Sequence, residues 1–306
     1  MASKGAQQVP RLASTLVVLA KNLEKDAVCD YRVLLVKRSA KSGFMASAHV
    51  FPGGIIEPED TEPAWKGPLQ AGLMSKAIVG LGTRYGEQLS TRIGGIRELF
   101  EETGLLLARP KGVSKGSTAV VHTSPAIMKL REIVAKDASV FVNKVCAQLY
   151  PEVDKLVPWD RWITPAFESR RYDTWFYIAA LSTPPPAVSP DEKGEVTSTL
   201  WMSPSEALLA AQNKEIALPP PTTYVLTELL SFKTMKSVFQ QAPKRDLRPN
   251  HPTAIQEGDE IVLVLPGDEK HAEYAGPVGA RNRMYGFQGG GVTRIVKNLT
   301  DTASKL

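Results

Sequence analysis

The sequence predicts an α/β protein, and two observations lead to this class. Apolar, β-branched runs of strand length recur along the chain, as in residues 14–20 and 196–202. Between them lie segments with the three-to-four-residue apolar spacing of a helix, of which residues 94–107 are the best example. Strands and amphipathic helices therefore alternate along one chain.

The elements follow in chain order from their periodicity and their turn residues. Ser124-Pro125 and Ser203-Pro204 each place a capping side chain before a proline, which is typical of a helix start. A helical hairpin is predicted over 126–149, with Asp137 capping its second member. The predicted strands are 14–20, 31–37, 162–167, 174–181, 196–202, 261–265 and 293–297, and the remaining predicted helices are 94–107, 203–211 and 222–232.

Composition limits the function classes. The 306 residues are 43% apolar and 23% charged with a net charge of +5, as in an ordinary globular protein. No apolar run approaches the roughly 18–20 residues of a membrane-spanning helix, so no membrane span is expected. The basic residues are scattered, which makes a nucleic-acid partner unlikely by sequence. Cys29 and Cys146 are too few for a disulfide framework or a thiolate zinc site.

An acidic helix carries the strongest chemical signal. Glu98, Glu101 and Glu102 fall within one helical turn, where three carboxylates repel one another. A hard divalent cation such as Mg²⁺ relieves that repulsion with oxygen ligands, and Arg97 offsets part of the charge. The alternative is a solvated acidic face of a helix.

A glycine turn precedes this helix in the sequence. In Phe51-Pro52-Gly53-Gly54, the paired glycines permit a close approach of backbone to a ligand. An ordinary Gly-Gly hairpin is the alternative explanation.

Together the two segments resemble the Nudix box. Gly54, five further residues, Asp60, and then the run from Arg97 through Gly104 to Leu105 match its glycine, acid and Arg-Glu-apolar-x-Glu-Glu-x-Gly-apolar pattern. Asp60 stands where the family usually has Glu, and 36 residues (61–96) replace the usual seven. We expect this insertion to form a loop before the helix resumes.

The interrupted box resembles the peroxisomal coenzyme A diphosphatase branch of the Nudix family. Similar segments include 34–39, 43–54, 171–174, 201–207 and 218–221. The resemblance implies the Nudix α/β/α sandwich with a mixed sheet, with an insertion in the box and extra helices. It predicts one domain over 1–306, with a core at about 12–230 and a C-terminal extension at 233–303.

The resemblance also implies an activity, which is metal-dependent hydrolysis of the diphosphate of coenzyme A (CoA) and acyl-CoA. The products are 3′,5′-ADP and (acyl-)4′-phosphopantetheine. Mg²⁺, with Mn²⁺ as a substitute, is expected on Glu98, Glu101, Glu102 and the Gly54 carbonyl. Two other readings stay open: a diphosphatase for NADH, ADP-ribose or an RNA cap, and a nucleotide-binding Nudix module without activity.

The remaining predicted site residues are a general base and the groups that bind substrate phosphate. The general base is Glu98 on the metal face or Glu195, a loop carboxylate that is otherwise simply solvated. Arg38 and the pair Arg170-Arg171 offer donors for substrate phosphate, and a surface arginine pair is the alternative. The predicted substrate-binding residues are Arg38, Gly53, Gly54, Arg170 and Arg171, and the predicted catalytic residues are Arg97, Glu98, Glu101, Glu102 and Glu195.

The last three residues, Ser304-Lys305-Leu306, match the tripeptide that the peroxisomal import receptor reads. They predict a peroxisomal location, with that receptor as a partner. A frayed chain end is the alternative reading.

Overall fold

The computed structural model describes residues 8–24, 27–41, 45–61, 85–110, 121–122, 124–145, 149–185, 195–286 and 291–299. The strands are β1 Arg11–Lys21, β2 Tyr31–Arg38, β3 His49–Val50, β4 Gly53–Ile55, β5 Leu106–Pro110, β6 Val121–His122, β7 Leu149–Pro151, β8 Val157–Ile163, β9 Tyr172–Leu181, β10 Val196–Met202, β11 Thr253–Glu257, β12 Glu260–Val264, β13 Asn282–Tyr285 and β14 Arg294–Lys297. The α-helices are α1 Tyr85–Thr103, α2 Pro125–Val134, α3 Pro204–Gln212, α4 Pro220–Leu229 and α5 Met235–Gln241.

A mixed seven-stranded sheet forms the centre of the fold. Its main order is β10-β2-β1-β9-β8, with β3 paired to β2 and β4 paired to β1. β1 and β9 run parallel along ten residue pairs, from Arg11 opposite Tyr172 to Ala20 opposite Leu181. The other pairings in this sheet are antiparallel. The predicted mixed sheet is confirmed.

Strand β1 supplies both hydrophobic cores because its side chains alternate between the two faces of the sheet. Leu16 and Val18 pack on one face with the apolar side of α1. Val17 and Leu19 pack on the other face with α4, α5 and strands of the C-terminal region. Helices thus cover both faces of the sheet, which confirms the predicted α/β/α sandwich.

The C-terminal extension builds a second, four-stranded antiparallel sheet in the order β11-β12-β13-β14. Leu263 and Met284 from this sheet are buried in the same core as Val17 of the central sheet. A buried ion pair holds its loops, because Asp268 accepts hydrogen bonds from Arg283 Nε at 2.8 Å and Nη2 at 3.1 Å. The extension is therefore packed against the sandwich.

Both predicted ends of the box helix are wrong, and the predicted strand 162–167 is instead β8, Val157–Ile163, because its pairing with β9 runs over these residues. The box helix begins at Tyr85 instead of residue 94. Residues 85–96 of the predicted loop over 61–96 are therefore helical, and residues 62–84 lie outside the described part of the chain. The apolar face that contains Leu89 and Ile93 continues into the box, and this burial extends the helix. At the other end the helix stops at Thr103, because Gly104 (φ +72°) turns the chain into β5.

The predicted helical hairpin is only partly present. Ser124 caps α2, and Asp137 accepts a hydrogen bond from the backbone N–H of Ser139 at 3.0 Å. A second helical segment follows Asp137, because residues 139–140 are α-helical and continue into a π-helical turn, Phe141–Val145. Residues 146–148 lie outside the described part of the chain, and Leu149 starts a strand, so the predicted end of this segment is wrong. Leu149 is drawn into a strand because β7 pairs with β5.

Two glycines let α1 lie close to the central sheet. A Cβ on Gly95 would lie 2.7 Å from Ser14 Oγ and 2.9 Å from Leu16 Cδ2. One on Gly94 would lie 2.6 Å from Ile56 Cδ1. Glycine weakens a helix interior by about 1 kcal/mol relative to alanine. Here the glycines are required because a larger residue would keep α1 away from β1.

Some expectations fall outside the described residues, namely Cys146 and the tripeptide 304–306. The peroxisomal location therefore stays a prediction. In the part of the chain that is described, no helix combines the length and the hydropathy needed to cross a bilayer.

We expect Gly95→Val to lower the free energy of unfolding by about 1–3 kcal/mol, because the added atoms overpack the contact with Ser14 and Leu16. Urea denaturation measures the loss. Gly95→Ala serves as the graded control and should lose less, since alanine adds one carbon and favours the helix. Unchanged midpoints for both variants would contradict the close packing of α1 on β1.

Candidate active site

A cleft of about 660 Å³ opens over the N-terminal half of β1 and the box half of α1. Nine of the sequence-predicted residues line it together. These are Arg38, Gly53, Gly54, Arg97, Glu98, Glu101, Glu102, Arg170 and Glu195. The fold therefore gathers one cluster from residues as far apart in the chain as Arg38 and Glu195.

The glycine turn and the acidic helix meet directly in this cleft. The backbone N–H of Gly53 donates to Glu102 Oε2 at 3.0 Å. The Glu98 carboxylate lies against Gly54, where a Cβ would stand 2.5 Å from Glu98 Cδ. At Gly53 (φ +157°) a Cβ would also stand 2.2 Å from the carbonyl oxygen of Ser14. Larger residues at either position would separate the turn from the helix.

Arg97 is the centre of a buried charge network, with a side chain only 3% exposed. It binds Asp60 through Nη2–Oδ2 at 2.8 Å and Nε–Oδ1 at 3.0 Å. Its Nη1 donates to Glu98 Oε1 at 3.0 Å and to Glu101 Oε1 at 2.6 Å. Its Nη2 also donates to the carbonyl of Ile55 at 3.1 Å. Burial lowers the pKa of Arg97, but the charges of Glu98, Asp60 and Glu101 more than reverse this and raise it.

Asp60 takes part in this network even though a long insertion separates it from Arg97 in the sequence. Asp60 is 1% exposed, and it also accepts a hydrogen bond from the backbone N–H of Glu57 at 3.0 Å. It lies on a 3-10 turn, Pro58–Asp60, beside α1. The shorter acid therefore reaches Arg97, and the inserted residues leave that contact intact.

Two buried carboxylates in the cleft, Glu98 and Glu102, have raised pKa values. Burial raises the pKa of Glu98 to about 7, opposed by Arg97 and increased by Glu101. Burial and the charge of Glu98 raise the pKa of Glu102 well above its ordinary value, opposed by the Gly53 N–H. A divalent cation between them would replace the proton as the neutralising charge and lower both pKa values again.

The donor set fits a magnesium-type ion that also contacts substrate. Among the described residues, no group of three or more His, Cys, Asp or Glu side chains is arranged to hold a metal ion without further ligands. Mg²⁺ is usually held by one or two carboxylates, with water and substrate phosphate completing its octahedron. Glu98 and Glu102, with raised pKa values and an adjacent glycine turn, meet that requirement. Arg97 Nη1 contacts both Glu98, at 3.0 Å, and Glu101, at 2.6 Å, and the assignment of Glu101 as a third ligand stays a prediction.

The charge of the cleft supports the same conclusion. Seven carboxylates line it, against four basic side chains. A diphosphate would be repelled by this surface unless cations lay between the two sets of oxygens. The acids are Glu57, Glu59, Glu98, Glu101, Glu102, Asp137 and Glu195, and the basic residues are Arg38, Arg97, Lys136 and Arg170.

Helix α2 fixes the end of the acidic helix through Arg131, which the sequence analysis did not single out. Its guanidinium donates to the carbonyls of Glu101 at 2.9 Å and Glu102 at 3.0 Å. These are carbonyls of the last helical turn, which require partners from outside the helix. An arginine on the buried face of an amphipathic helix was the available signal.

The predicted phosphate-binding residues separate in the structure. Arg170, which is exposed, and Arg38, which is half-buried, both line the cleft. Arg171 is 7% exposed and lies outside the cleft lining, because its donors bind the carbonyls of Thr164 at 3.1 Å and Gln8 at 3.0 Å. The expected arginine pair is therefore reduced to Arg170.

Sequence analysis also missed part of the cleft wall. The turn after α2, residues 134–138, lines the acidic cleft and brings Lys136 and Asp137 to it. Tyr172 and Thr174 enter it from β9, next to β1. The sequence marked Asp137 only as a helix cap and residues 172–174 only as part of a family-like segment and a predicted strand, because their positions in the cleft depend on the pairing of β1 with β9 and on the docking of α2.

Comparisons with known proteins agree on the family. The family model described as the NUDT19 Nudix domain matches residues 10–86 and 66–229. The chain is 35% identical over 283 residues to "Acyl-coenzyme A diphosphatase NUDT19" of Xenopus laevis, covering 82% of this chain and 74% of that protein. The protein of the same name from Homo sapiens is 34% identical, with 79% and 73% covered.

Among solved structures, a Nudix hydrolase from Alicyclobacillus acidocaldarius superposes with a TM-score of 0.60 at 21% identity. The match covers 77% of this chain and 97% of that structure. At this identity the likeness supports the fold alone.

Asp60→Asn tests the buried network, because it keeps the shape of the side chain and removes its charge. Breaking a buried ion pair leaves the partner charge uncompensated, so we expect the free energy of unfolding to fall by about 3 kcal/mol. The measurement is urea denaturation at neutral pH. Asp246→Asn is the matched control, because its pair with Arg248 is largely exposed and such pairs contribute about 0–1 kcal/mol. Equal losses in the two variants would show that Asp60 does not hold Arg97 energetically.

Proposed function

The chain belongs to the NUDT19 Nudix family, and from this premise we propose that it hydrolyses the diphosphate linkage of CoA and acyl-CoA. The products would be 3′,5′-ADP and 4′-phosphopantetheine or its acylated form. The relatives from Xenopus laevis and Homo sapiens carry the name acyl-coenzyme A diphosphatase, and they match about four fifths of this chain. The observation that supports the activity here is the joined glycine turn and acidic helix, with Gly53 N–H bonded to Glu102.

A divalent metal is general among Nudix hydrolases, and we propose Mg²⁺, with Mn²⁺ as a substitute. Glu98 and Glu102 would hold it with the help of the Gly54 carbonyl. When bound, such an ion neutralises charge on the phosphoryl oxygens and acidifies an attacking water. Arg97 keeps the Glu98 carboxylate oriented through its 3.0 Å contact and is itself fixed by Asp60.

For the general base we propose Glu195. It lines the cleft and is exposed, and its charge contributes to the raised pKa of Glu102, which places it near the acidic helix. Glu98, the other candidate, is already bonded to Arg97 and packed against Gly54. An exposed carboxylate near the metal ligands is better placed to accept a proton from water.

Arg38 and Arg170 are the proposed partners of substrate phosphate. Both line the cleft, and the Arg38 Nε is buried without a hydrogen-bond partner among the residues that the structure describes. A buried guanidinium donor without a partner is costly, and a phosphate oxygen would satisfy it. Arg38 also lowers the pKa of Glu102 by its charge, so it lies near the acidic helix.

The first test is Mg²⁺-dependent hydrolysis of free CoA, with the products identified by mass. We expect Glu102→Gln to lower kcat/KM at least about 100-fold, the loss typical of removing one electrostatic contribution to the transition state. Calorimetric titration with Mn²⁺ should show weaker binding in the same variant. Glu132→Gln is the control, since Glu132 lies exposed on α2 and outside the cleft lining.

Other outcomes of this test would redirect the proposal. Turnover of NADH, ADP-ribose or capped RNA, with none of CoA, would keep the chemistry and change the substrate. Binding of CoA without turnover of any diphosphate would favour a non-catalytic module.

Glu195→Gln separates the two candidate bases. We expect kcat to fall about 10²–10⁴-fold, the usual contribution of general-base catalysis, while Mn²⁺ affinity stays unchanged. Steady-state kinetics and Mn²⁺ titration on the same preparation provide both values. A variant with wild-type kcat would return the role to Glu98, and a joint loss of kcat and Mn²⁺ affinity would make Glu195 a metal ligand instead.

A further inference from the structure

A second cavity, of about 330 Å³, adjoins the acidic cleft. This is within the roughly 300–1,000 Å³ range of small-molecule sites. The two spaces share five lining residues, which form their common boundary. They are Thr15, Arg38, Gly53, Tyr172 and Thr174. A ligand in the cleft can therefore extend into this cavity beside the Gly53–Glu102 contact.

The cavity wall is mainly apolar, in contrast to the cleft. Phe51, Trp162 and Phe176 contribute aromatic surface from the central sheet and the turn before β4. The start of α4 adds three consecutive prolines, 219–221. Phe167 lies at the wall with 55% of its surface exposed. Threonine hydroxyls, such as that of Thr222, are set among these apolar groups.

The C-terminal extension completes this wall. Pro252 and Leu263 both line the cavity. Leu263 is 3% exposed and belongs to the core that the extension shares with the central sheet. Residues 233–303, to which the sequence assigned no role, thus build part of a space that opens onto the cleft.

The distribution of charged residues indicates which part of a CoA molecule fits the cavity. Arg38 is the only basic residue among its described lining residues, and it stands at the boundary with the cleft. Arg170 and Lys136 line the acidic cleft but not the cavity. Glu168 adds negative charge to the cavity wall. The phosphorylated adenosine half would find no partner for its 3′-phosphate inside the cavity. The pantetheine arm carries methyl and methylene groups with two amides, and it matches apolar walls interspersed with hydroxyls.

We propose that this apolar cavity is the subsite for the pantetheine arm of the substrate, and that the C-terminal extension is required to form it. The inference rests on the proposed function. It assigns the two halves of the substrate to different walls, with the diphosphate at the acidic helix and the arm beneath Phe167.

The test uses the two product halves as probes, because each carries one side of the substrate. Calorimetry on the full chain with Mg²⁺ would measure the affinity for 4′-phosphopantetheine and for 3′,5′-ADP. We expect Phe167→Ala and Ile163→Ala each to weaken 4′-phosphopantetheine about four- to fifteenfold, equivalent to one or two buried methylenes. The affinity for 3′,5′-ADP should not change.

Leu230→Ala is the matched control, because Leu230 is 48% exposed and lines neither space. It should leave both affinities unchanged. Phe167 is exposed at the rim, so its variant should fold even if that of Ile163 does not; thermal melting checks both. Weaker binding of 3′,5′-ADP in the cavity variants would place the nucleoside there and overturn the proposal. Unchanged affinities for both products would overturn it as well.

The same measurements separate this proposal from the proposed function. If wild-type protein hydrolyses CoA but the cavity variants bind both products normally, the arm subsite alone is wrong. If wild-type protein neither binds nor hydrolyses CoA, the function and the subsite both fall.

Discussion

The ion network around Arg97 is the interaction on which the rest of the site depends. One buried guanidinium joins the 3-10 turn at Asp60, the backbone of Ile55 after the glycine turn, and Glu98 and Glu101 on the acidic helix. A buried charge of this kind is stable only while its partners stay in place, since loss of one leaves the others uncompensated. The network therefore ties the turn and the helix together, and the orientation of Glu98 follows from it.

Close backbone packing gives that network its geometry. Glycines lie at both contacts: Gly94 and Gly95 bring α1 onto β1 and the Asp60 turn, while Gly53 and Gly54 bring the turn onto Glu102 and Glu98. Each contact excludes a Cβ. Arg131 then holds the last turn of α1 from outside through its carbonyls. The acidic helix is thus fixed along its length, and its carboxylates stay buried together despite their mutual repulsion, which is the condition that raises their pKa values.

Local pattern was sufficient for the parts of the fold whose signal lies within one element. The strand Val196–Met202 and the start of α3 at Ser203-Pro204 coincide with prediction, because alternation and a capping box are encoded in adjacent residues. The early start of α1 escaped detection, since glycines interrupt its apolar periodicity. The strands β11 and β13 are short and depend on pairing within the C-terminal sheet. Nine cleft residues were identified from motifs, whereas Arg171 was misplaced because its partners, Gln8 and Thr164, are set by the tertiary fold.

The acidic cleft and the apolar cavity differ in polarity, and this difference would separate the site of reaction from the site that recognises the substrate arm. The cleft is rich in carboxylates, so it attracts a phosphate ester only together with cations, and its binding energy is directed to the diphosphate. The apolar cavity favours a ligand by releasing water from its walls, which requires no cation and carries no charge preference. A substrate that places its diphosphate in one space and its arm in the other would be positioned by the second for reaction in the first. Because the cavity wall includes the C-terminal extension, substrate selection would depend on a region outside the Nudix box, while the reaction itself depends on the box.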